Sequence, residues 1–285
     1  MTDNSFAVQD APARDILTIR SHTGISGDIL LTGFATLLLA RGNFSPDSEH
    51  GRVFLSEICA RVMPAMADCL VILPAERNFI RGWQAKIELP QSRTHRHLDD
   101  IRKIIADSSL ADAAKARACR CFELLADCEA TAHGIKPEEV HFHEIGALDS
   151  ILDICITCEL YQQLGAPALV CSSLPIADGE ILCAHGLLPA PAPATLQLLK
   201  DIPVRPFEGS VNAGELLTPT GIALLRALDA SFGAWPQFYL QCSVLVYGQR
   251  EFADVANGAI FAIGSTRPVS PSLPDQGNPL PVCQE

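Results

Sequence analysis

The sequence predicts an α/β or α+β fold in which helices pack on a mixed sheet, either as one body or as two subdomains. Three observations lead to this prediction. The chain has 285 residues, 48% hydrophobic and 19% charged, which is the composition of a globular protein with a large core. Runs rich in β-branched residues alternate with longer apolar runs of helical period. Glycine and proline separate these runs.

A strand, a loop and a helix open the fold. Residues 16–20 are predicted to form a strand and residues 21–27 a glycine loop. Asp28 is then expected to be the N-cap of a helix that ends near Gly42. Thr218 followed by Pro219 predicts another helix start, with Thr218 as the N-cap and Pro219 at the first helical position.

The remaining elements follow from the same patterns. Further helices are predicted over residues 53–63, from 98 onward, and over 111–133, 147–164, 194–200 and 220–230. Further strands are predicted over residues 70–73, 80–89, 140–144, 239–247 and 258–263.

The two ends differ from the body of the chain. Residues 1–15 are expected to be a flexible leader, and residues 16–264 the folded module. Residues 265–285 carry five prolines, at 268, 271, 274, 279 and 281. With little apolar periodicity, this tail is expected to be disordered.

Charge and cysteine usage limit the partners and the compartment. There are 21 basic and 33 acidic residues, for a net charge of −12, which argues against a nucleic acid partner. The polar start does not resemble a secretory signal, and apolar stretches are too short to cross a membrane. Eleven cysteines, an odd number, indicate free thiols in the cytoplasm. Cys155 and Cys158 are either core residues or a thiolate pair.

The strongest chemical pattern lies within residues 140–153. His141 and His143 point the same way on an extended segment, and the next residue is Glu144. Asp149 and Asp153 are four apart and share one helix face. Imidazole and carboxylate together suit Zn, Ni, Fe or Mn. The alternative is that the histidines cap the helix and the aspartates are a solvated face.

A second H-x-H pattern, His95 and His97, precedes a helix and encloses Arg96, whose guanidinium suits an anion. An exposed polar loop is the alternative interpretation. His185 lies in a loop that alternating prolines stiffen, which could position one imidazole.

The glycine loop itself offers two kinds of contact. Gly24, Ser26 and Gly27 precede a helix start, where main-chain N–H groups can bind an anion. Asp28 either ligates a cation or caps the helix.

Together these blocks resemble the nickel insertion proteins of the LarC family, which complete the nickel-pincer nucleotide of lactate racemase. The resemblance spans residues 16–264. The matching blocks, in the family's order, are residues 24–28, 95–98, 140–153, 184–186 with the following prolines, and 214–221.

The resemblance implies an enzyme, a lyase-type cyclometallase. It would install nickel in pyridinium-3,5-bisthiocarboxylic acid mononucleotide through one carbon–nickel and two sulfur–nickel bonds. Catalysis is assigned to Glu144 and Asp149. Contacts to the mononucleotide are assigned to Gly24, Ser26, Gly27 and Arg96. The expected metal ligands are His141, His143, Glu144, Asp149, Asp153, His95, His97, His185 and Asp28.

In the family, a C-terminal domain binds CTP with Mg or Mn. This chain ends soon after the first module, so we expect a separate CTP-binding partner protein, and a homo-oligomer is left open. Two alternatives also remain. One is a non-catalytic metal-binding or regulatory homologue, and the other is a metal-dependent hydrolase in which Glu144 or an aspartate acts as general base.

Overall fold

A computed structural model describes residues 15–89, 96–142, 147–183, 186–207, 209, 215–251 and 258–267. The helices in these ranges are α1 (Gly27–Arg41), α2 (Glu49–Val62), α3 (Leu98–Asp107), α4 (Asp112–His133), α5 (Leu148–Gln163), α6 (Pro193–Leu198) and α7 (Pro219–Ala227). The strands are β1 (Asp15–Ser21), β2 (Leu70–Arg77), β3 (Ile80–Ile87), β4 (Arg96–His97), β5 (His141–Phe142), β6 (Ala168–Cys171), β7 (Leu174–Ile176), β8 (Glu180–Cys183), β9 (Gly186–Pro189), β10 (Val204–Pro206), β11 (Ser231–Phe232), β12 (Tyr239–Tyr247) and β13 (Gly258–Ser265).

Of the described strands, seven form one mixed sheet in the order β11-β6-β1-β13-β12-β3-β2. The late strand β13 lies between β1 and β12 and is antiparallel to both. β6 runs parallel to β1. Three further strand pairs, β4–β5, β8–β9 and β7–β10, lie outside this sheet. The predicted α/β class with a mixed sheet is therefore confirmed.

The helices cover one face of the sheet. α1 packs against β12, β13 and β3, and α5 packs against α1, while α2, α4 and α7 pack against α5. Phe34 of α1 meets Phe261 of β13 edge to face, with ring centroids 5.8 Å apart. Alternation along the strands directs Leu17 and Ile19 of β1 to this side, and both are fully buried. Their burial fixes the register of the sheet beneath α1.

Several predicted boundaries move in the structure. α2 begins at Glu49 because Ser48 caps it, accepting from the main-chain N–H of Gly51 at 3.1 Å. The sequence prediction started this helix at its apolar run and missed the polar first turn. β2 continues to Arg77, since Asn78 and Phe79 form a tight turn with positive φ and extend the pairing with β3.

The C-x-x-C pair is part of the core. Cys155 and Cys158 are fully buried in α5. Burial raises the pKa of the Cys158 thiol to about 12 and that of Cys155 well above its usual value. Of the two alternatives, the structure favours core packing over a thiolate role.

The division into leader, module and tail stays a prediction, because most of the leader and the tail lie outside the described residues. Among the helices that are described, none is both long and apolar enough to cross a membrane.

Candidate functional site

The glycine loop after β1 is joined to the segment before α7. Ile25 donates its main-chain N–H to the carbonyl oxygen of Leu216 at 3.1 Å, and Thr218 donates to the carbonyl oxygen of Ile25 at 3.1 Å. Ile25 and Leu217 form an isolated parallel bridge. Thr218 caps α7 as predicted, accepting from the N–H of Gly221 at 3.2 Å. Two blocks that are far apart in sequence thus form one surface.

Two glycines permit this close packing. A Cβ on Gly24 would lie 1.9 Å from the carbonyl oxygen of Leu216. A Cβ on Gly27 would lie 2.8 Å from Oδ2 of Asp153, which comes from α5. The glycines therefore let the loop approach both the segment before α7 and a carboxylate of α5.

Asp28 is not the N-cap of α1, and that prediction is wrong. Ser26 has the extended cap conformation, with φ −144° and ψ 170°, whereas Asp28 lies in the first helical turn. The hydroxyl of Ser26 donates to Oδ1 of Asp28. The N–H groups earlier in the loop are also used, since Gly24 donates to Oγ of Ser21 at 3.1 Å.

Burial raises the pKa of the Asp28 carboxyl, while hydrogen bonds from Ser26 and from main-chain N–H groups, including that of Gln249, oppose the rise. Asp28 also lines a pocket of about 290 Å³ with Glu215 and Arg250. A partly buried carboxylate therefore faces an open volume between the glycine loop, the segment before α7 and the end of β12.

Asp153 is the second carboxylate of this group. Burial raises its pKa well above the usual value, and the negative charges of Asp28 and then Asp149 raise it further. Its Oδ1 is buried and has no hydrogen-bond partner among the described residues. Asp149 is exposed, and its Oδ1 accepts from the N–H of Ser150 at 2.8 Å. Three carboxylates thus interact across the start of α1 and of α5.

The two H-x-H blocks also meet. β4 and β5 pair antiparallel, with Arg96 opposite Phe142 and His97 opposite His141. The main-chain N–H of His97 donates to Oδ2 of Asp100 at 3.0 Å, which caps α3. His97 lines a different pocket, of about 520 Å³, with Asp99 and other acidic residues of α3 and α4.

Much of the predicted ligand set lies outside the described residues. This applies to His95, His143, Glu144 and His185 and to the side chain of His141. Within the described ranges, no three His, Cys, Asp or Glu side chains are grouped closely enough to hold a metal ion. The histidine ligands therefore remain predictions, and Asp28, Asp149 and Asp153 are the candidates whose surroundings are known.

Comparison with known proteins decides the family. Residues 17–271 match the family model described as nickel insertion protein. The chain belongs to this family. It is 38% identical over 236 residues to the pyridinium-3,5-bisthiocarboxylic acid mononucleotide nickel insertion protein of Staphylococcus epidermidis, covering 83% of this chain and 56% of that protein. It is 36% identical over 251 residues to a putative nickel insertion protein of Geotalea daltonii, covering 88% and 61%.

The chain thus spans less than two thirds of the length of these curated relatives. No solved structure matches it. The family match covers every predicted site residue, from Gly24 to His185. The resemblance inferred from the sequence blocks is therefore confirmed at the level of the family.

The sequence analysis did not identify two residues that contact the glycine loop and Asp28. The main-chain N–H of Gln249 reaches Asp28, and Leu216 receives the N–H of Ile25. Both act through main-chain atoms, so their residue types carry no chemical signal. Only the block at residues 214–221 gave a hint, and local helix capping already explained it.

Proposed function

We propose that this chain binds Ni²⁺ and inserts it into pyridinium-3,5-bisthiocarboxylic acid mononucleotide, the precursor in its Staphylococcus epidermidis relative's name. The observation that supports this proposal most strongly is that the carboxylates of Asp28 and Asp153 lie near each other beside the glycine loop. Two neighbouring carboxylates repel each other, and the buried Oδ1 of Asp153 lacks a partner within the described structure. A divalent cation would compensate both charges.

The predicted ligands complete this site. We propose that His141, His143 and Glu144 join Asp28 and Asp153 around the metal, since neutral imidazole and carboxylate suit Ni²⁺. His95, His97 and His185 are proposed as further ligands, which would bind the nickel ion on its way to this site. Support for this comes from β4–β5 pairing, which brings the two H-x-H blocks side by side.

The precursor would contact Ser26, Gly27 and Arg96 through its anionic groups, because these residues offer a helix start and a guanidinium. Gly24 would position the loop, since its own N–H already donates to Ser21. Replacing a ring C–H bond with a carbon–nickel bond releases one proton. Glu144 or Asp149 is proposed to accept it.

We also propose that CTP with Mg or Mn binds to a partner protein or domain, and that the reaction takes place in the cytoplasm. The chain's net charge of −12 supports this division of labour, since a triphosphate site needs several cationic or N–H contacts.

The test is nickel content, measured by mass spectrometry after incubation with Ni²⁺, with and without the precursor, followed by mass analysis of the small molecule. We expect nickel bound by the chain, and the nickel-bearing product once CTP and the partner are supplied. CTP turnover by this chain alone would contradict the division of labour. A chain that binds no nickel would overturn the proposal. Ester or phosphoester hydrolysis would favour the hydrolase alternative.

A further inference from the structure

A third pocket opens on the face of the sheet opposite α1, at the end of β1 that leads into the glycine loop. It has a volume of about 640 Å³, within the range of small-molecule sites. Ile80, Leu245 and Ile260 form an apolar part, and Arg20 and Arg205 line it as well. Because side chains alternate along a strand, Arg20 points away from the core side taken by Ile19.

Arg20 is held in place by neutral groups. Its Nη1 donates to the carbonyl oxygen of Gly233 at 2.7 Å, and its Nη2 donates to Ala234 at 3.0 Å and to Oγ1 of Thr18 at 2.7 Å. The guanidinium lies 4.7 Å from the ring centroid of Trp235. Its Nε is buried and has no acceptor in the described part of the chain. Burial lowers the pKa of Arg20.

Arg205, like Arg20, is held by main-chain carbonyl groups. Its Nη2 donates to the carbonyl oxygens of His22 at 2.8 Å and Ser21 at 3.3 Å. Within the described ranges, neither Arg20 nor Arg205 forms an ion pair with a carboxylate. Several other arginines do, namely Arg41, Arg61, Arg77, Arg81, Arg102 and Arg120. In a chain with a net charge of −12, two arginines without acidic partners in one pocket indicate an anionic ligand.

This pocket and the pocket beside Asp28 have no lining residue in common, but they are lined by adjacent stretches of the chain. Residues 20–22, 243–245 and Tyr247 line this pocket, and the stretches that follow them, from Thr23 and from Gly248, line the other. A ligand anchored by its anionic end at Arg20 and Arg205 would therefore lie next to the loop that carries Asp28. The N–H groups of Gly24 and Ile25 are already used, so the phosphate is assigned to the two arginines, and the glycine loop is left for the thiocarboxylate groups at the other end of the ligand.

We propose that this pocket binds the phosphate of a pyridinium mononucleotide, with Arg20 and Arg205 contacting the phosphate and Ile80, Leu245 and Ile260 lying against the nucleoside. The proposal rests on the proposed function, which supplies the ligand class. Arginine suits this role because its planar fork of donors matches a phosphate.

The probe is nicotinic acid mononucleotide, with binding to the full chain measured by calorimetry. Arg205→Gln removes the charge but keeps an amide that can donate to the carbonyls of Ser21 and His22. We expect it to weaken binding about tenfold or more, the loss expected when a charged hydrogen bond disappears. Arg52→Gln is the matched control, because Arg52 on α2 also donates to a carbonyl, that of Asp47, but lies away from the pocket.

The riboside without phosphate gives a second arm. It should bind the wild type and Arg205→Gln equally weakly, since the phosphate contact is absent from both. Arg20→Lys, checked for folding by thermal unfolding, should also weaken mononucleotide binding, because lysine cannot reproduce the fork. Unchanged mononucleotide affinity in Arg205→Gln, or no binding by the wild type at millimolar concentration, would overturn the pocket assignment. Nickel content is measured separately, so a failure here leaves the nickel proposal standing, and the reverse also holds.

Discussion

Two of the three acidic residues of helix α5, Asp153 and Glu159, lie six positions apart in contrasting surroundings. Glu159 is 2% exposed and fully engaged. Arg61 donates to its Oε1 at 2.9 Å, Gln163 to the same oxygen at 3.2 Å, and the N–H of Ala111 to its Oε2 at 2.9 Å. Asp153 has a buried oxygen without a partner in the described residues and faces two other carboxylates.

The difference separates a charge that is satisfied within the protein from one that is not. Glu159 ties α5 to α2 and to the residue before α4, and its charge is satisfied within the protein. Asp153 gains nothing comparable from its neighbours, so its presence costs stability unless a cation is bound. Four substitutions test this contrast, from the largest expected effect to the smallest.

Asp153→Ala should lower the affinity for Ni²⁺ about 100-fold, at the upper end of the losses seen when groups that support a metal site are removed. Calorimetric titration of metal-free protein measures this. Asp107→Ala is the control, because it also removes one carboxylate but lies exposed on α3. Equal affinities in the two variants would show that Asp153 has no part in the site.

Glu159→Ala should lower the free energy of unfolding by about 2 kcal/mol while leaving nickel affinity unchanged. The loss lies between that of a surface pair and that of a buried one, because Arg61 remains 49% exposed. Urea denaturation provides the measurement, and Glu159→Gln should lose less because it keeps an acceptor for Ala111. A loss of nickel binding at full stability would reverse the proposed roles.

Gly27→Ala should weaken nickel binding by about fivefold, equivalent to about 1 kcal/mol. The new methyl group would lie 2.8 Å from Oδ2 of Asp153 and would displace that carboxylate. Gly233→Ala is the control, since no atom lies within 4 Å of its added Cβ. If both variants bind nickel like the wild type, the approach of the loop to Asp153 does not matter for the site.

Asp153→Asn should stabilise the metal-free protein by up to about 1 kcal/mol, because the amide places no negative charge beside Asp28 and Asp149. Burial raises the pKa of Asp153 above its unfolded value of 3.8. The stability of the wild type is therefore greatest when the group is protonated, and is lost as pH rises through the raised pKa. Thermal unfolding in EDTA across pH should show a gain that grows with pH, and a gain that shrinks would contradict the burial argument.

Local sequence patterns predicted individual helices, strands and loops, but not the contacts between segments that are far apart in the chain. The strand before Ser21, the glycine loop and α1 follow from neighbouring residues, and so does the cap at Thr218. The bridge between Ile25 and Leu217 joins segments that are separated in sequence by most of the helices and strands. It depends on main-chain atoms, which every residue possesses. The hydrogen bonds from Arg20 to the carbonyl oxygens of Gly233 and Ala234 could not be predicted from the sequence for the same reason.

The position of β13 has a consequence for how the chain is made. Of the described strands, β1 is synthesised first, but one of its neighbours in the sheet, β13, is synthesised after all the others. Until residues 258–265 appear, the apolar edges of β1 and β12 have no strand between them. Closure of the sheet therefore follows synthesis of the whole stretch from β1 to β13, and nascent chains that stall earlier would expose these edges to aggregation.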